Sequence, residues 1–242
     1  MGLILHCGSD EVTREMVESI PTPTRTGRYN PVGYADAIAI LEDTVKAVLG
    51  LKQVSETYGL NAKGNQLFAH FIFDTEDEDG GLAVGLRQSL NKTLALGTVV
   101  GKAITVCDNL LLCGELKVVR KNTTNVYRDY RTMLTVQIEE AMQAYRALNH
   151  ELDAWKQREL TEREGYQLLG VAMGKARVLS AQQGSIALKD WETPRHEEFA
   201  ERTAYNLYQC MTEGLKKGAP GRMAERHLAA RAFMQGEVAR YV

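Results

Sequence analysis

Nine residues between Tyr127 and Trp155 constrain this chain more than any other feature. Tyr127, Tyr130, Leu134, Ile138, Ala141, Tyr145, Leu148, Leu152 and Trp155 are spaced by 3, 4, 4, 3, 4, 3, 4 and 3 residues. That spacing keeps one apolar stripe on one side of an α-helix through roughly four heptads. A helix of about 30 residues is about 45 Å long, more than one small core needs. Its stripe must be covered by other helices of the same chain, or by a second copy in a homo-oligomer. The residues expected to carry such assembly are Tyr130, Leu134, Ile138, Tyr145, Leu148 and Leu152. Three tyrosines in the stripe depart from a Leu/Ile zipper, because each hydroxyl needs a partner or water. An irregular bundle is therefore expected over a bare coiled coil.

Upstream of the stripe the period changes. Residues 2–6 read as a short strand, Val12 to Ser19 as a short helix and 20–32 as an extended loop broken by Pro21, Pro23 and Gly27. Tyr34 to Leu49 returns to helical spacing and Gly50 offers a stop. Val54–Tyr58, Leu67–Phe73, Leu82–Leu90, Val99–Val106 and Leu116–Val119 read as strands. Their short links favour an antiparallel sheet over βαβ crossovers. Asp74 to Gly81 reads as an acidic loop.

Downstream, Thr161-Glu-Arg-Glu164 fits a capping box opening a helix over Glu162–Leu179. Gln182-Gln183-Gly184 reads as an interruption, and Ser185–Leu188 as one more short strand. Pro194 is expected to start a helix running to Lys217, with Gly218-Ala-Pro-Gly221 before a last helix. The fold class is α+β: a mostly antiparallel sheet with an N-terminal helix, then a helical portion led by the long helix. The sheet and helix region is expected over 1–122 and the helical region over 123–242, the two forming either separate units or one integrated domain.

Several function classes are disfavoured. The net charge of −2 argues against bulk cationic attraction to DNA, though a local basic stripe remains open. No run reaches the roughly 18 apolar residues of a membrane span. Met1 to Cys7 is too short an apolar run for a signal peptide. The four cysteines, Cys7, Cys107, Cys113 and Cys210, have no CxxC or zinc-finger spacing, so buried thiols in a reducing cytoplasm are expected. His6 and Cys7 are neighbours on an expected strand and point to opposite faces, so they cannot form an activated pair. The acidic residues Asp74, Glu76, Asp77, Glu78 and Asp79 lack EF-hand spacing and read as a solvated hairpin tip. No phosphate-loop Lys-Ser/Thr follows Gly80-Gly81. No metal, cofactor or catalytic residue is assigned, and an enzyme would need His, Cys and carboxylates to converge in space.

Basic residues collect in the sheet region. Arg87, Lys92, Lys102, Lys117, Arg120 and Lys121 are the candidate nucleic-acid-binding set, with Lys63 nearby. Arg87, Lys102, Lys117 and Lys121 would share a solvated face in a suitable register. A basic sheet face carrying aromatics can hold single-stranded nucleic acid by charge and stacking. Arg25 and Arg28, with Tyr29 and Tyr34, form a basic–aromatic mixture in the 20–32 loop.

Longer patterns are shared with a known family. Arg28-Tyr29-Asn30-Pro31 precedes a helix, and Gly59-Leu60 and Gly64 precede the aromatic strand. Gly85-Leu86-Arg87-Gln88-Ser89 leads to Ile104-Thr-Val106-Cys107-Asp108-Asn109-Leu110, and Tyr205-Asn206-Leu207-Tyr208-Gln209-Cys210-Met211-Thr212-Glu213 comes late. These resemble the phage/plasmid-like family called domain of unknown function 932, over residues 25–235. Two departures are Leu90-Asn91-Lys92 in place of a His-Asp-Gly-type turn, and Arg120-Lys121-Asn122-Thr123 in place of a basic-His-Thr segment. No histidine role carries over at either. The resemblance implies a phage, prophage or plasmid origin and hence a host bacterial cytoplasm, and supplies no mechanism. The expectation is a non-enzymatic accessory protein that binds nucleic acid in mobile-element DNA replication or recombination. The alternative is a protein-binding inhibitor of a host defence system or host enzyme.

Overall fold

The computed structural model describes residues 10–76, 80–104, 110–112, 117–118, 122–218 and 222–241. The expected strand at 2–6, His6-Cys7, Asp77–Asp79, Val106 to Asn109, Cys113, Leu116, Val119 to Lys121 and 219–221 lie outside the described residues.

Asp10–Val12 (β1) is followed by Arg14–Glu18 (α1) and Tyr34–Leu49 (α2). The strands Gln53–Leu60 (β2), Gln66–Phe73 (β3), Gly80–Ser89 (β4), Gly97–Ile104 (β5), Leu110–Leu112 (β6) and Lys117–Val118 (β7) complete one sheet. Its order is β1-β2-β3-β4-β5-β6, with β7 also on β5, and every pairing is antiparallel. Where a helix was expected from Val12, the chain first pairs as β1. Thr13 then caps α1 by accepting the Met16 amide. β6 also lay outside the expected strands, being too short to show a period.

Strand alternation sets one face inward. Leu67, Ala69, Phe71 and Phe73 of β3 pair across with Gln88, Leu86, Val84 and Leu82 of β4, and this face is buried under helices. α2 covers it with Ala37, Ile38, Leu41 and Val45. Gly50 closes α2 at φ 66°, a left-handed position that favours glycine.

The stripe forms one unbroken helix, Val126–Gln157 (α3). Its first half joins the sheet core through Tyr130, Leu134, Ile138, Ala141 and Tyr145. Its second half, Leu148, Leu152 and Trp155, seeds a second core with Glu162–Met173 (α4), Ala181–Glu192 (α5), Ala204–Leu215 (α6) and Met223–Val238 (α7). The two cores meet within α3, between Tyr145 and Leu148. The six stripe residues expected at an oligomer seam, Tyr130, Leu134, Ile138, Tyr145, Leu148 and Leu152, are at most 3% exposed inside their own chain. They are structural residues, and no apolar seam is left on that face for a second copy. Each tyrosine hydroxyl finds its partner: Tyr127 donates to Asp36 Oδ2 (2.7 Å), Tyr130 to the Ala37 carbonyl (3.4 Å) and Tyr145 to the Gly80 carbonyl (3.4 Å). Gln137, buried on α3, donates to the Thr98 carbonyl of β5 (3.1 Å) while its own amide oxygen accepts the Thr98 hydroxyl.

The helical portion corrects three expectations. Ser185–Leu188 is not a strand and 182–184 is not a break, because all lie in α5, opened by a capping box of Ser180 and Gln183. The helix opened by the Thr161–Glu164 box ends at Met173, short of Leu179. Pro194 does not start the next helix. α6 begins ten residues later at Ala204, capped by Thr203.

Candidate nucleic-acid interface

Antiparallel hairpins put alternate turns at opposite ends of the sheet. The β2–β3 turn, 61–65, and the β4–β5 loop, 90–96, share one end, while the β3–β4 turn with Asp74 and Glu76 lies at the other. The first end carries the cations Lys63 and Lys92, both exposed, and gathers two further segments, 25–30 and 122–125.

Hydrogen bonds pin these segments together. The Tyr29 hydroxyl donates to the Leu90 carbonyl (2.9 Å), and the Asn30 amide to the Asn122 carbonyl (2.7 Å). The Arg25 guanidinium reaches Thr124 Oγ1 (3.4 Å), and Gln66 Nε2 reaches Thr93 Oγ1 (2.7 Å). Thr26 and Tyr29 exchange both backbone bonds (3.0 and 2.8 Å) around Gly27 at φ 54°. Glycine adopts this left-handed position readily, and Arg28 beside it is exposed. Buried Gln88 fixes the loop before α2 by donating to the Val32 carbonyl (2.8 Å).

Between the segments lies a cavity of about 530 Å³, lined by Arg28, Tyr29, Lys92, Leu94, Ala95, Asn122 and Thr123. Leu94 and Ala95 form an apolar wall. Lys92 sits at φ 66°, an uncommon conformation for a residue with a Cβ, and its ammonium lies 4.4 Å from the Tyr29 ring centroid. Arg28 is exposed, and neither Arg28 nor Lys92 is ion-paired among the described residues. Asn122 is 6% exposed, and its Oδ1 has no hydrogen-bond partner among the described residues. α3 begins four residues later, so the positive end of its dipole adds to the cationic rim.

The expected basic set is not brought together. Only Lys92 lines the cavity. Lys102 pairs across from Leu82, which puts it on the helix-covered face, 4% exposed, with its ammonium 5.7 Å from the Tyr145 ring. Arg87 pairs across from Gly97 and Phe68 on the other face and bridges to Glu225 of α7 (3.0 Å). Arg87 and Lys102 therefore cannot share a solvated face, because cross-strand register and the two-residue period separate them. Lys117 stands at the register position opposite Thr98. Arg120 and Lys121 lie outside the described residues and directly precede Asn122 in sequence. Arg28 and Tyr29 were legible as a basic–aromatic loop. Asn122 carried no sequence signal of its own beyond the stretch of basic residues before it.

Other candidate chemistry is quiet. Asp74 Oδ1 accepts the Glu76 amide (3.0 Å) in an ordinary Asx turn. Among the described residues no His, Cys, Asp or Glu cluster could hold a metal ion, and no helix is long and apolar enough to cross a membrane. Burial pushes the Cys210 thiol above its ordinary range, with Asp190 adding to the rise, so it is held as an unreactive thiol.

The family model described as Domain of unknown function (DUF932) matches residues 22–235. No curated protein and no solved structure matches the chain.

Proposed function

We propose, for a chain that belongs to the Domain of unknown function (DUF932) family, a non-enzymatic role in binding single-stranded nucleic acid at the basic end of its sheet. The observation that carries this reading is the cavity where Arg28 and Lys92, both without carboxylate partners among the described residues, flank Tyr29 and Asn122. A phosphate backbone supplies the anion these cations lack, and unstacked bases suit an apolar wall with an amide beside it. Lys63 and Arg25 extend the same cationic end beyond the cavity. The acidic turn at the opposite end of the sheet would steer a strand away from it. Phage or plasmid DNA replication or recombination is the setting this reading adopts, from the resemblance of the Arg28–Pro31 and Gly85–Ser89 motifs.

The test is fluorescence anisotropy of a labelled single-stranded oligonucleotide with the purified, nuclease-treated chain. Binding at low salt that weakens steeply as salt rises supports the reading. No binding at low salt removes it.

A further inference from the structure

Phe68 is an aromatic ring that the helix-covered core does not use. Alternation along β3 sends Leu67, Ala69, Phe71 and Phe73 under the helices and Phe68 to the opposite face. There it is only half-buried. Among the described residues it joins no apolar cluster and no ring–ring contact. Cross-strand register sets Gly59 on one side of it and Arg87 on the other. Gly59 has no side chain to cover the flank of the ring. α7 borders this face on the β6 side, where Glu225 meets Arg87 at 3.0 Å. By register the face carries no Asp or Glu of β2, β3 or β4, since Glu56 pairs across from Phe71 and lies on the helix side. The face also runs straight into the cationic end of the sheet. Gln66, one step back from Phe68 on the same face and about 7 Å along the strand, holds Thr93 Oγ1 at 2.7 Å, beside Lys92.

We propose that the bound strand continues from Lys92 onto this outer face and stacks a nucleobase on the Phe68 ring. This rests on the nucleic-acid reading and carries it from the loop cavity onto the sheet. Cations at the loop end attract the phosphates, and a face without carboxylates does not repel them. An open aromatic ring accepts any base, because every base has a π-face. The ring also sets a preference for single strands, since bases paired and stacked within a duplex cannot lie flat on it. An apolar protein partner would bury the same ring without needing Lys92 or Arg28, and the test separates the two.

The experiment is anisotropy of a labelled oligothymidylate with the full, nuclease-treated chain carrying Phe68→Leu, Phe68→Tyr or Phe68→Trp. Leucine keeps an apolar side chain and removes the π-face, so Phe68→Leu should weaken binding about tenfold. The loss should be the same at every salt concentration, because stacking releases no counterions. Phe68→Tyr and Phe68→Trp should keep the affinity. Trp155 and Trp191 are each 3% exposed and give a steady background, so the oligonucleotide should quench the emission of the Phe68→Trp protein and leave that of the unsubstituted chain unchanged. This second measurement serves if Phe68→Leu melts early. If the oligonucleotide binds but Phe68→Leu binds as tightly as the unsubstituted chain, or Phe68→Trp is not quenched at saturation, the stacking face is overturned and strand binding at the loop end stands. If no variant and no unsubstituted chain binds at low salt, both fall, and the face is left to a protein partner.

Discussion

The same substitution at two glycines should have opposite effects, and the structure sets the sign. Gly214 of α6 is buried against α5. A Cβ built there would fall well under 3.0 Å from the Gln183 carbonyl oxygen, 3.1 Å from its carbon and 3.5 Å from its Cα. Those are backbone atoms, so the helices must part by roughly 1 Å in an interior packed to crystal density. Overpacking of this kind costs about 1–3 kcal/mol. Replacing helical glycine by alanine returns about 0.5–1 kcal/mol. The net for Gly214→Ala is a loss of up to about 2.5 kcal/mol, or up to about 10 °C in Tm for a chain of this size. Gly184 and Gln183 belong to the same α5 turn, and Gln183 also holds the Ser180 amide (2.9 Å) and the Arg226 guanidinium (2.8 Å), so any shift disturbs three segments. Gly170 of α4 is exposed, and a Cβ there meets nothing within 4 Å. Gly170→Ala should therefore gain about 0.5–1 kcal/mol. Urea denaturation followed by circular dichroism, with calorimetric Tm as a second measure, separates the two. A Gly214→Ala protein as stable as Gly170→Ala would refute the close α5–α6 approach.

In the oligonucleotide assay, each single-stranded phosphate contact contributes about 0.7 to the slope of log affinity against log salt. The double variant Arg28→Ala/Lys92→Ala should flatten that slope by about 1.4, and an unchanged slope would place the phosphates elsewhere. Leu134 is fully buried under the sheet, and Leu134→Ala should lose about 2–5 kcal/mol in urea titration. A loss below about 1 kcal/mol would deny that the α3 stripe is core. Because burial raises the Cys210 thiol, its peptide should stay unalkylated by iodoacetamide at mildly alkaline pH until the chain is unfolded. Mass spectrometry of that peptide reads the result, and rapid modification of the folded chain would contradict it.

The long helix was legible because its period is sustained over nine turns of contact-bearing sequence, which no strand or loop can imitate. α2 and the central strands were legible for related reasons: a clear helical face ended by Gly50, and two-residue alternation through β3. α5 was misread because Gln182-Gln183-Gly184 looks like a break when helix propensity is weighed alone. Gly184 is instead the small residue over which Met173 of α4 packs, a tertiary gain invisible in the local sequence. Its start was nevertheless written in the chain, as Ser180 and Gln183 at capping-box spacing. Lys102 was misplaced by a sound rule applied without depth. A lysine among apolar neighbours reads as outward-facing, but its stem lies along buried surface and its ammonium rests near Tyr145. The cavity could not be assembled from sequence because Arg28, Lys92 and Asn122 come from three segments far apart in the chain, and only the fold sets their distances.

Of the two readings of the α3 stripe, covered by the same chain or by a second copy, the structure shows the first, and that packing bears on the candidate site. The stripe is spent in two cores, with Leu134 and Ile138 in the first and Leu148 and Leu152 in the second. Each fully buried side chain of this kind contributes about 1.5–3 kcal/mol. The helix is therefore fixed along its length, and the segment just before it, Asn122 and Thr123, inherits that rigidity at the cavity wall. The opposite wall is held just as firmly, by Tyr29 on the Leu90 carbonyl and Asn30 on the Asn122 carbonyl. A ligand entering such a cavity orders little protein, so more of its contact energy survives as affinity. Arg28 and Lys92, without carboxylate partners among the described residues, stand on these fixed walls beside the apolar Leu94 and Ala95. Fixed walls and cations in want of an anion are separate consequences of the packing, and together they favour an anionic ligand with an apolar face.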